Sequence, residues 1–352
     1  MKPMRLTIAV LSLSLAGGAI AQTPKFNQTD IGALLGTNSV AQAINARADV
    51  VGYWVRDIGP AAFLYRSNQV YEIAALGTNA NFAMAINVSG YVVGHSMTDD
   101  GLRAFFFNGT NTWPLDWGGT NSYGTGINAS NQIVGFTETS NGVTAVFFDG
   151  QTWDIGNLGG TTTYAYGLNA SNQIVGSSAT TNGDFHAFVV VGGVMQDLNA
   201  VAQSAGLTLT AARAINASGI IAGWGITNGA LQAFQLNGTN LAVIPLLQGA
   251  TNGYASAINN SSSVVGACGT TNGLRAFLWQ NGVLSDLNDR IATNSGWVLR
   301  EANGINDSGQ IVGWGNINGE VHAFLLTPNQ APTVSITSSS ECIMPCAGGE
   351  RS

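Results

Sequence analysis

The chain has 352 residues, a formal charge of −7, and Asp, Glu, Lys and Arg at only 9% of positions, against about 25% in an average domain. Without a basic stripe or run, nucleic acid and anionic membrane surfaces are poor candidates for partners, and solubility rests on Asn, Thr, Ser and Gln. Glycine, at 46 residues, has roughly twice its usual share, which points to many turns and few helices.

Taken in chain order, residues 1–21 read as a signal peptide. Lys2 and Arg5 precede an apolar run at 6–15, and Ala19-Ile20-Ala21 supplies a small-x-small cleavage site. The run is too short to span a bilayer, and no Cys stands at the cleavage point to carry a lipid. The mature chain is expected to begin at Gln22 and to be secreted, extracellular or periplasmic, with no membrane insertion. Losing Lys2 and Arg5, and no acid, takes the charge to −9 (10 Lys and Arg against 19 Asp and Glu). A lead at 22–28 follows.

One phrase then returns seven times: a small residue, an aliphatic residue, Asn, a turn, an aliphatic pair or near-pair, and Gly. It reads AINARADVVG at 43–52, AINVSGYVVG at 85–94, GINASNQIVG at 126–135 and GLNASNQIVG at 167–176. It continues as AINASGIIAG at 214–223, AINNSSSVVG at 257–266 and GINDSGQIVG at 304–313. The asparagines are Asn45, Asn87, Asn128, Asn169, Asn216, Asn259 and Asn306, with spacings of 42, 41, 41, 47, 43 and 47 residues. After each phrase comes Ala-Phe or a variant, from Ala62-Phe63 to Ala323-Phe324, with Ala145-Val146 in the third unit. A short apolar strand ending in a Gly- or Asn-rich turn completes most units.

Each unit therefore contains about four short strands separated by Asn, Gly and Ser turns. Pairs such as Ile133-Val134 and Ile311-Val312 put apolar side chains on both faces, whereas a strand with one wet face alternates. Such strands belong to small sheets packed between neighbours. Four strands in about 40–45 residues match a propeller blade. The last unit lacks a final strand, and TDIGALLG at 29–36 resembles it (compare TWDIGNLGG at 152–160). The expected architecture over 29–328 is an all-β, seven-bladed β-propeller of four-stranded blades, closed by that N-terminal strand. Closure removes aggregation-prone edges. An open β-solenoid of the same repeats is the alternative. The two 47-residue intervals carry insertions after Leu198-Asn199 and Leu287-Asn288, each with room for a short helical turn.

The nearly complete string AINDSGQIVGWG…HAFLL in 304–326, and LGG…A…IN…IVG recurring across 29–328, resemble the bacterial extracellular HAF-repeat family. Its name-giving His-Ala-Phe stands here as His186-Ala187-Phe188 and His322-Ala323-Phe324. The resemblance implies secretion and a repeated β architecture, and it implies no established activity. Only two units keep the His; Arg103, Thr144, Gln232 and Arg275 take its place elsewhere.

Candidate chemistry is sparse. His186 and His322 hold equivalent positions on different units and, with His95, read as surface or turn-packing residues, because a metal site needs converging ligands. Asp154, Asp197 and Asp286 sit in the recurrent outer element and read as structural. Glu301 and Asp307 flank the seventh inner strand and are placed at the ring's mouth. No calcium loop and no phosphate-cradling Gly-rich loop occurs, so no cofactor, metal or catalytic residue is assigned. The Asn-x-Ser/Thr strings are explained by the hairpin Asn bonding neighbouring backbone. Trp54, Trp224 and Trp314 follow the repeat's Gly by one or two residues, and aromatic faces of this kind stack on sugar rings or anchor a protein. Cys268 reads as a small buried side chain.

The tail at 329–352 changes character. APTVSIT at 331–337 resembles the opening of an immunoglobulin-like module, but only about 15 residues follow where such a sandwich needs about 100. A disordered tail, the stub of such a module, is expected, with Cys342 and Cys346 able to pair. The function expected is a secreted, monomeric, non-enzymatic binding or scaffold protein that takes a glycan or protein ligand on one propeller face. A carbohydrate-active hydrolase or lyase on the same scaffold and a structural cell-surface protein are the alternatives.

Overall fold

The computed structural model describes residues 25–36, 38–77, 80–202 and 206–329. The segment at 1–21 and the tail beyond Asn329, with Cys342 and Cys346, lie outside the described residues. Among those described are 28 strands, the helical turns Gly32–Leu35 and Asn199–Ala202, and the 3₁₀ turn Leu287–Arg290. The chain is all-β, and the latter two turns occupy the two insertions.

The strands form five four-stranded sheets and one eight-stranded sheet. The larger sheet consists of two antiparallel groups bridged by the parallel pair Val143↔Thr162. In each unit the strand ending just before the repeat Asn pairs antiparallel with the strand carrying the aliphatic pair and Gly. That strand pairs with the Ala-Phe strand, which in turn pairs with a short outer strand. In the last unit, Trp297–Ile305, Ile311–Ile317 and Glu320–Pro328 take the first three places. The outer place is filled by Phe26–Asp30, in register from Phe26↔Pro328 to Asp30↔Phe324. The strand expected at 29–36 thus starts three residues earlier, inside the 22–28 lead, and stops at Asp30. Beyond it, fully buried Ile31 donates its N–H to the Ala323 carbonyl at 3.0 Å, extending the pairing by one bond. The Asp30 carboxylate then accepts from the Ala33 N–H at 2.9 Å and turns the chain inward.

Two local devices explain the phrase. The first is the buried Asn. In the fourth unit, Asn169 Oδ1 accepts from the backbone N–H groups of Ser171 and Gln173 at 3.0 and 3.1 Å, holding its own turn. Its Nδ2 donates to the Asn216 carbonyl of the next unit at 3.0 Å. The same donation runs from Asn45 to Asn87, Asn87 to Asn128, Asn128 to Asn169, Asn216 to Asn259 and Asn259 to Asn306. Asn306 in turn donates to the Asn45 carbonyl at 3.0 Å.

The second device is the Gly that ends the phrase. A Cβ at Gly176 would lie 2.0 Å from the Tyr164 carbonyl oxygen, and Gly52, Gly94, Gly135, Gly223, Gly266 and Gly313 repeat the contact at 1.9–2.0 Å. Each innermost strand shifts register beside it, as between Ala165 and Gly167. The bulge pushes a carbonyl toward the second strand, so only hydrogen fits there.

Packing lies between the sheets. Phe63, Phe105, Phe188, Phe234, Phe277 and Phe324 are all fully buried, which explains the Ala-Phe element. The third unit has Val146 instead, and buried Trp117 presses on Gly135 as Phe63, Phe105 and Phe188 press on Gly52, Gly94 and Gly176. Apolar clusters join successive units, and one joins Ala41, Val50 and Phe63 of the first to Val312, Ala323 and Leu325 of the last. Burial on both faces is what the unalternating aliphatic pairs require.

The histidines of the Ala-Phe strands serve this packing. His186 Nδ1 lies 2.7 Å from Asp197, and His322 Nδ1 lies 2.9 Å from Asp30. Arg275 meets Asp286 in the equivalent place. Each pair ties a third strand to the end of an outer strand. Cys268 is a buried free thiol.

Candidate functional site

Two facing positions, one on the first strand of each unit and one on the second, vary from unit to unit and include residues that line a cavity. Five residues before the repeat Asn stand Val40, Phe82, Tyr123, Tyr164, Ala211, Tyr254 and Glu301. Directly opposite, one residue after the repeat Gly, stand Tyr53, His95, Phe136, Ser177, Trp224, Ala267 and Trp314. Alternation along a strand puts each such pair on one face.

Across the first four units the pairs form a chain of rings. Centroids are 5.0 Å apart for Tyr53 and Phe82, 5.0 Å for Phe82 and His95, and 5.1 Å for His95 and Tyr123. The chain continues at 4.6 Å to Phe136 and 5.0 Å to Tyr164. Burial lowers the His95 pKa from its ordinary 6.5 to about 4. This residue is neither a surface nor a turn histidine, which corrects the sequence expectation.

On the other side the walls open into a cavity of about 520 Å³ lined by Gln42, Tyr53, Arg213, Trp224, Tyr254, Ser256, Glu301, Asn303 and Trp314, with Val40 and Val321. Glu301 organises it. One carboxylate oxygen accepts from the Tyr254 hydroxyl at 2.9 Å and the other from the Trp314 indole N–H at 2.8 Å, so two aromatic walls are held by one acid. Trp224 meets Tyr254 edge-on at 6.1 Å. Burial, reinforced by the Glu301 charge, holds the Tyr254 hydroxyl well above its ordinary pKa, and Tyr53 is raised by the same two causes. Arg213 lies with its guanidinium 5.2 Å over the Tyr166 ring. Burial lowers its pKa, and Tyr166 and Glu301 oppose that shift.

Of the five residues singled out from the sequence, Trp224, Trp314 and Glu301 come together here. Trp54 does not. It stands opposite Ala61, packs beside Phe63 at 6.4 Å and carries Arg56 over its ring at 5.2 Å. It lies one residue beyond the repeat position, and a one-residue offset turns a strand side chain to the opposite face. Tyr53 holds the register-equivalent place. Asp307 also lies elsewhere, in the turn after Asn306, where it accepts from the N–H and side-chain amide of Asn260 at 2.8 Å each. That turn lines a separate cavity of about 270 Å³ beside the row of repeat asparagines.

Sequence reading missed Arg213, Tyr254 and Tyr53. The signal was present for Arg213: three residues before the repeat Asn, the other units carry Gln42, Met84, Thr125, Tyr166, Ser256 and Asn303, all uncharged. A cavity of about 630 Å³ lies near Arg275, Asp286, Asp289 and Arg290. Its charges are largely spent: Asp286 is held by Arg275 and Asn288, and Arg290 donates to Ser285. It also has no aromatic wall, so the Glu301 cavity is the better site.

No family model and no curated protein matches the chain. Among solved structures it is similar to the β-propeller domain of the trilobed protease from Pyrococcus furiosus, at 10% identity and a TM-score of 0.56, over 90% of this chain and 99% of that one. It is also similar to the acylaminoacyl peptidase of Pyrococcus horikoshii, at 9% identity and a TM-score of 0.55, over 84% of this chain and 52% of that one. The chain thus spans about half of that peptidase. These likenesses show a β-propeller fold, and at such identities nothing about activity.

Proposed function

We propose that this β-propeller is a secreted, non-enzymatic binding protein of the HAF-repeat family, and that the Glu301 cavity takes a glycan. The observation that carries the reading is the pairing of aromatic walls with fixed polar groups. Trp224, Tyr254, Trp314 and Tyr53 offer ring faces, and Gln42, Asn303, Ser256 and Glu301 offer hydrogen bonds around about 520 Å³. Sugars present an apolar ring face and a rim of hydroxyls, and a concave site with a few placed polar groups suits them. Glycoside hydrolysis ordinarily needs two carboxylates; among the described residues of the lining, Glu301 is the one acid, which favours binding over turnover.

In this reading the seven units are seven blades of one ring, with Phe26–Asp30 completing the last. The Asn306-to-Asn45 bond and the cluster shared by the first and last units support it. Small-angle scattering of the mature protein then reports a compact, disc-like particle, and an elongated one overturns the ring in favour of a solenoid.

The binding test is a glycan array on the mature protein, followed by calorimetric titration of the best ligand. Trp224→Ala and Trp314→Ala each weaken binding at least tenfold, about 1.4 kcal/mol, while Trp54→Ala leaves it unchanged. A protein that binds no glycan, or whose affinity ignores Trp224 and Trp314, sinks the proposal.

A further inference from the structure

Arginine usage sets one residue apart. Among the described residues Arg47, Arg56, Arg66, Arg103, Arg275, Arg290 and Arg300 each donate to an oxygen. The Arg213 side chain makes no hydrogen bond and no ion pair among them; its guanidinium lies over the face of Tyr166 at 5.2 Å. It is also the single cation lining the Glu301 cavity. A half-buried guanidinium has lost part of its hydration, a cost normally offset by an anion or by hydrogen bonds.

Glu301 does not supply that anion. Its two oxygens are engaged by Tyr254 and Trp314, and it forms no ion pair with Arg213 among the described residues. The cavity therefore keeps its positive and negative groups apart: a guanidinium with free donors at one place and a carboxylate, already hydrogen-bonded to its walls, at another. Tyr166 faces the guanidinium at 5.2 Å, and Arg213 stands at the bulge of Thr208–Ile215, between the paired Ala212 and Ala214. Its register position is uncharged in every other unit. The charge is thus a departure from the repeat at a place where packing does not ask for it.

We infer that the cavity selects a carboxylate-bearing saccharide, with the ligand's carboxylate on Arg213 and its hydroxyls and ring faces toward Glu301, Trp224 and Trp314. This inference rests on the glycan-binding reading above and adds the chemical class of the ligand. The planar guanidinium fork matches a carboxylate with two parallel N–H···O bonds. A singly charged group fits better than a phosphate, because Glu301 in the same cavity repels a second negative charge.

The test compares charged and neutral forms of the same sugar by titration calorimetry. The probes are glucuronate and galacturonate, their uncharged methyl esters, short oligouronides, a sulfated monosaccharide and inorganic phosphate. The wild-type protein is expected to bind at least one uronate or oligouronide 10- to 100-fold more tightly than its neutral counterpart, the range of a charge-assisted hydrogen-bonded pair. Arg213→Gln brings that ratio to within threefold, and Arg213→Lys restores part of it. Stronger binding of the oligouronide than of the monomer identifies a chain interior as the source of the carboxylate, and the reverse identifies a terminal residue.

Equal affinity for charged and neutral forms in the wild type overturns the inference while leaving glycan binding intact. So does a preference that survives in Arg213→Gln, or binding of phosphate or the sulfated sugar as tight as that of the uronates. Failure of every saccharide to bind overturns both readings. Thermal melts of both Arg213 variants, matching wild type, show that altered ratios come from the site and not from unfolding.

Discussion

His95 shows what a single position contributes. It lies between Phe82 and Tyr123, and its buried Nδ1 has no hydrogen-bond partner among the described residues. Its folded pKa, about 4, is below the ordinary 6.5. In that interval the unfolded chain binds more protons than the folded one, so stability falls as pH falls from about 6.5 to about 4. This group adds no pH dependence above or below the window. The whole loss is on the order of 3 kcal/mol. His95→Phe keeps a ring in the stack and removes the titration. Urea melts at pH 7, 5.5 and 4 should therefore show the variant gaining on wild type as the solution is acidified; parallel pH profiles would falsify the assignment.

The repeat phrase is a structural element in its own right, and its Asn and Gly do different work. Asn169 satisfies two backbone donors of its own turn and one carbonyl of the next unit. Asn169→Ala leaves the buried Asn216 bond and two partly buried N–H donors without their partner, at a cost of about 1–3 kcal/mol, read as a lower midpoint in denaturant with the strand content retained. Gly176 faces the Tyr164 carbonyl so closely that any Cβ overlaps it. Gly176→Ala must displace backbone rather than a flexible side-chain end, and more than about 3 kcal/mol of destabilisation is expected. If circular dichroism and melting show Gly176→Ala to be the milder of the two, the account of the bulge fails. Alternation along the strand after the Gly sets which residue faces the cavity: Tyr53 and not Trp54.

At the scale of the whole molecule, the first strand carries a disproportionate share of the order. Phe26–Asp30 supplies the outer strand of the last sheet, Ile31 fills the cluster between last and first units, and Asp30 receives His322. Deleting residues 22–31 from the mature chain uncovers the edge of Glu320–Pro328, a run of unpaired backbone groups beside buried apolar side chains. The truncated protein is expected to melt at a clearly lower temperature and to self-associate in size-exclusion chromatography. A monomer with an unchanged midpoint would show that the strand is dispensable.

Much of the fold was legible in the sequence, because the information is local and repeated seven times. Aliphatic pairs report burial on both faces, the Asn and Gly report turns, and the spacing reports four strands per unit. The equivalence of Asp30 with Asp154 even placed the first strand beside the last, though its bounds moved by a few residues. The site was legible only in part. Trp224, Trp314 and Glu301 were identifiable as departures from the repeat, whereas Trp54 was misassigned by one residue and Asp307 turned out to brace a turn. What only the tertiary structure decided is which departures meet. Arg213, Tyr254 and Glu301 follow one another at 41 and 47 residues in sequence, and nothing local records that packing of the fifth, sixth and seventh units brings them around one cavity. Strand order and burial follow from pattern; the convergence of unlike side chains follows from how the sheets are set against each other.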